Sequence, residues 1–499
     1  MSETIKVFSP KQIYIGTFLG GPLAAVYYIK SNFAYLNKPN EARWTLILGV
    51  LLSLALMSLS FVIPNSFTIR ALYSGLAASI SWYFQVSGEE EEVSKTYAFV
   101  SYWVAAKVAF LFVLVTVVSF YVASAVLFTT GMAAKEKGNY SAAFTALSVL
   151  SERGHTAAQN NLGLMYGIGQ GVPKDLALAA EWFREAAEQG RAAAQYNLGV
   201  SYATGQGVSQ DFAQAADWFR RAAEQGLSDA QYNLGVRYNT GQGVPQDFAQ
   251  AADWFRKAAE QDHADAQFEL GWSYAHGQGV PQDFAQAADW FHKAAEQDHA
   301  DAQFELGWSY AHGRGVSQDF AQAADWFRKA AEQDHADAQF ELGWSYTQAQ
   351  GVSQDFAQAA NWFRKAAEQG HATAQYNLGV RYTTGQGVPQ DFTQAANWFR
   401  KAADQGLAAA QYNLGVIYTT GQGVPQNFAQ AVDWFRKAAD QGLAAAQYNL
   451  GVSYQTGQGV PQDFVLASNW FLLAAGQGFA AAKLSLDAMF ENGEGVSQD

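Results

Sequence analysis

The sequence predicts an all-α protein: a helical transmembrane module followed by an α/α solenoid of stacked two-helix repeats. Three observations predict it. A 36-residue period runs through the C-terminal part, apolar residues inside each period recur at helical spacing, and apolar stretches of bilayer length lie in the N-terminal part. The boundary falls near Lys135, dividing the 499 residues into a membrane module, 1–135, and a repeat region, 136–499. Charge divides there too, with 9 basic and 6 acidic residues before the boundary and 22 basic and 39 acidic residues after it. A repeat region this acidic repels nucleic acid, so no nucleic-acid partner is expected.

Within the N-terminal part, a hydrocarbon core of roughly 30 Å takes about 20 apolar residues at the helical rise, and two segments, 44–63 and 108–128, satisfy this. Two more candidates are 12–29, interrupted by Gly20, Gly21 and Pro22, and 67–84, which carries Arg70; each reads as a tilted span or a re-entrant segment. The module therefore has two to four transmembrane helices and the bilayer as a partner. Arg70 and Lys107 lie close to segment ends, where long side chains reach the interface, so no ion pathway is expected. The basic residues of the flanking loops balance across a four-span arrangement and do not fix orientation. The acidic run 89–92 reads as a solvated loop. The N-terminus lacks the pattern of a removable secretory signal. An inner or plasma membrane is expected; with an even number of spans both termini share a side, and since nothing marks the N-terminus for export the repeats are expected in the cytoplasm, the periplasm being the alternative.

From about Asn139 the chain copies itself. The loop glycine of a Gly-Val pair falls at Gly171, Gly207, Gly243, Gly279, Gly315, Gly351, Gly387, Gly423, Gly459 and Gly495, each 36 residues after the last. A fixed period of this length means one small unit stacked on itself, each burying a face its neighbour needs. In the copy from Ala230, the residues Ala230, Leu234 and Tyr238 share one helical face and Gly235 leaves room for a partner helix. The loop 241–245 breaks that helix. Asp247 follows as an N-cap with Gln250 three residues on, and the second helix turns Ala251, Trp254, Phe255 and Ala258 to the core.

This unit resembles the Sel1-like repeat family, relatives of the tetratricopeptide repeats, whose succession of Ala, Leu-Gly, Tyr, Gly-x-Gly-Val, Asp, Ala, Trp and Ala-Ala is met at the positions just named. The resemblance covers about 139–499, as nine full copies between a lone second helix and a tenth that stops at Asp499. It implies a right-handed superhelix used as a protein-protein interaction scaffold or adaptor, and leaves the membrane module unassigned. There are departures. Ala349 replaces the first loop glycine, Asp487 the glycine after leucine, and Asp262, Asp298 and Asp334 the glycine that closes the second helix. These substitutions predict distortion of the sixth loop and of the last unit.

Three consecutive copies differ from the rest on the first helix, away from the core residues. They present Glu269, Trp272, Ser273 and His276; Glu305, Trp308, Ser309 and His312; and Glu341, Trp344, Ser345 and Gln348. Stacking aligns them. Trp beside an acid suits a partner segment bearing Lys or Arg, because aromatic faces attract cations and Trp is frequent among binding hot spots. The competing explanation is duplication: near-identical copies share residues by descent, and the Trp side chains pack between units.

No constellation for catalysis, cofactor or metal is found. Cysteine is absent, which removes disulfides, thiolate nucleophiles and Cys-ligated zinc. His276 and His312 recur at equivalent positions, as do His263, His299, His335 and His371, but a zinc ion needs ligand nitrogens within about 4.2 Å of each other while packed helices sit about 8–10 Å apart. No phosphate loop or nucleophile elbow occurs, and the carboxylates are spread by the period. The chain is therefore expected not to be an enzyme and to have no cofactor and no small-molecule substrate. A transporter or channel regulated by the repeats, and a penicillin-binding or hydrolytic protein of the kind linked to cysteine-rich relatives, are the alternatives.

Overall fold

Why a 36-residue unit closes on itself is visible in any one copy of the computed structural model, which describes residue 118 and residues 120–494. Among these residues every regular element is an α-helix, and successive helices alternate between the two types the sequence predicts. The chain divides into two units, one of residues 1–194 with 206–208, the other of 195–205 with 209–499.

In the first unit, a helical stretch 120–136 is followed by helices Tyr140–Ser151, Thr156–Ile168 and Leu176–Glu188. Ala143, Leu147, Leu150, Ala158 and Met165 form its core, with Leu127, Phe128 and Tyr140 against them. Upstream side chains on the same helical stretch are exposed: Phe120, Tyr121, Val122 and Val126 face outward, as does Val118. Among the described residues no helix is long and apolar enough to cross a membrane. The predicted spans 12–29, 44–63 and 67–84 lie outside the described residues, as does most of the first half of 108–128.

The second unit shows the repeat most clearly in the copy with helices Ser228–Thr240 and Phe248–Ala259. Ala230 and Leu234 are fully buried, and Phe255 packs where Gly235 opens the first helix: a Cβ there would sit 2.6 Å from the Phe255 ring. Gly241 ends the helix at φ 72° and the Asp247 amide donates to the Tyr238 carbonyl at 2.9 Å, closing the loop. At Gly243, a Cβ would collide with the Phe212 carbonyl of the preceding copy, so the loop lies directly on its neighbour's second helix. Asp247 then caps that copy's second helix, its Oδ1 accepting the amides of Ala249 and Gln250 at 3.0 Å. Gln250 closes the motif through its side chain, which donates to Asp247 Oδ2 at 3.1 Å. These hydrogen bonds hold the Asp247 carboxyl below the usual carboxylate range.

Between copies the stitching is polar as well as apolar. Gln231 is buried, donates to the Ala223 carbonyl of the preceding copy at 3.1 Å, and accepts from Gln261 of its own copy at 2.7 Å. The same pair of bonds repeats at Gln267, Gln303, Gln339, Gln375, Gln411 and Gln447. A buried amide is stable only with its partners in place.

The predicted distortion of the sixth loop is corrected. Ala349 adopts φ 57° and its amide donates to Ser345, the same left-handed cap its glycine counterparts form. Asp262, Asp298 and Asp334 likewise stand at φ 61–63°. The stack imposes the geometry and the residue bears the strain.

Candidate functional site

Each first helix of the three distinctive copies, Ala264–His276, Ala300–His312 and Ala336–Gln348, buries its Ala, Gln, Leu, Gly and Ser side chains. Of the residues that set these copies apart, Glu, Trp and the last residue of the helix remain partly or fully exposed. The serines do not join them: Ser273, Ser309 and Ser345 are buried and donate to the Glu269, Glu305 and Glu341 carbonyls at 2.8, 2.8 and 2.9 Å. The stripe therefore narrows to Glu269, Trp272, His276, Glu305, Trp308, His312, Glu341 and Trp344.

Within it, each histidine pairs with its own tryptophan. His276 Nδ1 lies 3.0 Å from the Trp272 carbonyl with ring centroids 4.0 Å apart, and His312 repeats this on Trp308 at 2.9 and 4.1 Å. Trp344, followed by Gln348, has no such cover and is 38% exposed. Trp272, His276, Phe284, Glu305, Trp308 and Arg314 line a cavity of about 250 Å³ between two of the copies. Burial raises the Glu305 carboxyl above the ordinary glutamate range; His276 of the preceding copy pulls it back and Asp301 adds to the rise. Glu341 behaves alike, with His312 in the easing role. Glu269 has no histidine beside it, and Asp265 reinforces the rise that burial causes. The nearby Tyr232 phenol is pushed up to about 12, by burial first and by Glu269 and Asp265 after it.

Sequence reasoning passed over Arg314. Its guanidinium lies 4.6 Å from the Trp308 ring centroid and 5.4 Å from that of Phe284. The signal was present, since the loops at 170, 206, 242, 278, 350, 386, 422 and 458 all carry Gln where this one carries Arg. At the Ser309 position other copies differ. Arg381 reaches across to Thr347 at 2.9 Å and to Gln386 at 2.7 Å, with its guanidinium 4.9 Å from the Phe356 ring, and so fills the equivalent space. Small Ser309 leaves it open.

The other histidine set has a different role. His263, His299, His335 and His371 are N-caps, each accepting through Nδ1 the amide three residues on. Their Nε2 atoms face Asp229, Asp265, Asp301 and Asp337 of the preceding copies at 3.2–3.4 Å. Among the described residues no group of three or more His, Asp or Glu is placed to hold a metal ion.

The Sel1 repeat profile matches ten successive segments: 156–190, 192–227, 228–263, 264–299, 300–335, 336–371, 372–407, 408–443, 444–479 and 479–499. The chain belongs to the Sel1 repeat family. The solved structure of c5321, a protective antigen of uropathogenic Escherichia coli with an SLR fold, is 38% identical with a TM-score of 0.58, covering 71% of this chain and 84% of its own. A Sel1 repeat protein from Oxalobacter formigenes is 36% identical with a TM-score of 0.49, covering 62% of this chain and 89% of its own. No curated protein matches the chain. A Sel1 solenoid is a protein-interaction fold, and in this Sel1 protein the open, aromatic-lined stripe is the surface that departs from its own repeat.

Proposed function

We propose that this Sel1 protein is a membrane-anchored scaffold that holds a protein segment bearing Lys or Arg along Glu269, Glu305 and Glu341. One observation carries the reading: three half-buried carboxylates stand one per copy beside Trp272, Trp308 and Trp344, and among the described residues none is ion-paired with Lys or Arg. Removing a charge from water is unfavourable unless an opposite charge replaces the lost solvation. A partner cation replaces that solvation at the carboxylate, and at Trp344, which no histidine covers, it meets the ring face as well.

Anchoring rests on the apolar segments 44–63 and 108–128; of these, residues 118 and 120–128 are described, with Val118, Phe120, Tyr121, Val122 and Val126 exposed and Leu127 and Phe128 packed against the first repeat core. Retention of the full chain in membranes after alkaline carbonate extraction supports it, and release into the supernatant removes it. A reporter fused at the C-terminus, active only in the cytoplasm, would place the repeats on that side.

The binding reading is tested by titrating the full chain with an oligo-arginine peptide and following Trp fluorescence. Glu269→Gln with Glu341→Gln should weaken binding about tenfold, the combined worth of two charge contacts in partly desolvated sites. Glu332→Gln with Glu368→Gln removes the same charge from second helices and serves as the control. Equal affinities for the two double variants would leave only the general acidity of the chain and sink the reading.

A further inference from the structure

Arg314 changes the charge of one slot in three. At the equivalent loop position the copy of Glu269 carries Gln278 and the copy of Glu341 carries Gln350, so neither of those slots has a loop cation. Glu305 instead shares its cavity with Arg314. Among the described residues that guanidinium makes no ion pair, and it lies against the Trp308 and Phe284 rings. A guanidinium held against aromatic faces keeps its N–H edge available for a planar, two-point contact with a carboxylate.

The spacing of the slots fixes what can fill all three. His299 of one copy meets Asp265 of the copy before it, and His335 meets Asp301, so the N-terminal ends of successive first helices stand side by side. Successive first helices meet through these side-chain bridges, with second helices packed between them, so they stand at or beyond the about 8–10 Å of directly packed helices. An extended segment rises about 3.1–3.3 Å per residue, so three residues are the shortest step that joins successive copies, and in polyproline II every third side chain returns to the same side.

Building on the basic-segment reading above, we propose that Arg314 sets the register of the partner. The fitting segment is extended and carries a cation, then an acid, then a cation at three-residue intervals, for Glu269, Arg314 and Glu341 in turn. A cation at the middle position meets Arg314 and is disfavoured; a carboxylate there is favoured.

Two amidated, acetylated peptides test this on the full chain: Arg-Pro-Pro-Glu-Pro-Pro-Arg and Arg-Pro-Pro-Arg-Pro-Pro-Arg. Both read the same in either chain direction, so the orientation of the segment does not matter. The unaltered protein should bind the Glu-centred peptide about tenfold more tightly, the scale of one favourable against one unfavourable contact. Arg314→Gln, which installs the residue of eight other loops and so suits the fold, should reverse the preference. A preference that is the same in both proteins, or an all-Arg preference in the unaltered one, overturns the register while leaving the basic-segment reading in place. Absence of binding by both peptides to both proteins overturns both.

Discussion

Nε2 of His299 lies 3.3 Å from Oδ1 of Asp265 in the preceding copy, while Nδ1 of the same ring accepts the Ala302 amide at 3.2 Å. Because Nδ1 is an acceptor, the ring proton is on Nε2 and donates to Asp265. The ring also stacks on Phe268 of that copy at 4.9 Å. One side chain thus caps its own helix and ties two units. His299→Ala is expected to lower stability by about 1 kcal/mol, the usual worth of an N-cap. His299→Leu should cost less, because Leu227, Leu407 and Leu443 occupy the position in other copies with no side-chain cap bond. Thermal unfolding of the two variants separates the cap from the packing.

Gln303 shows what a buried amide contributes to a repeat stack. It is fully buried, donates to Ala295 at 3.2 Å and accepts from Gln333 at 2.8 Å. Gln303→Leu keeps the bulk but strands the Ala295 carbonyl and the Gln333 amide group. Each stranded partner costs about 1–3 kcal/mol where it is buried, less where water reaches it. A loss on the order of 2 kcal/mol is expected, with faster amide exchange in residues 264–335 relative to distant copies, since stability in a solenoid is local to neighbours.

These two residues also mark how far the sequence could be read. Leu234, Gly235, Phe255 and the Asp247 cap were legible because each follows a one-dimensional rule: a helical period, a space for a ring, a cap before a helix. The stitching by Gln231 and His299 was not, because the Ala223 carbonyl and Asp265 that they reach sit in the neighbouring copy and only stacking brings them close. The stripe was half legible. Helical spacing put Glu305 and Trp308 together but also put Ser309 on the same face, where the structure turns it inward to the Glu305 carbonyl. Arg314 belongs to a loop, which no helical wheel includes, although its departure from a column of Gln was visible.

Ala349 adopts φ 57°, a left-handed conformation that glycine enters freely and alanine does not. Its neighbours in the stack form the same cap with Gly277, Gly313 and Gly385 at φ 67–73°. Ala349→Gly should therefore stabilise the chain by about 1 kcal/mol, the strain of one non-glycine residue in that region, reduced by the greater chain entropy of glycine when unfolded. A higher melting temperature with unchanged circular dichroism is the expected result, and a lower one would mean that the Ala349 methyl group makes packing contacts that outweigh the strain.

Glu305 carries the cost of the proposed binding surface in its own ionisation. Burial raises its carboxyl above the ordinary glutamate range, so the folded chain binds this proton more tightly than the unfolded chain does. Stability from this group is accordingly full below the unfolded value and falls as pH rises through the raised folded one. Glu305→Gln, which cannot ionise, should be slightly more stable than the unaltered protein at pH 7, by a few tenths of a kcal/mol for a half-buried position. The advantage should disappear at pH 3.5, where the glutamate is neutral too. Melting curves at the two pH values decide it: an equal difference at both would show that the Glu305 charge is already compensated, and a loss of stability at pH 7 would show that Arg314 or His276 holds it as a paired ion.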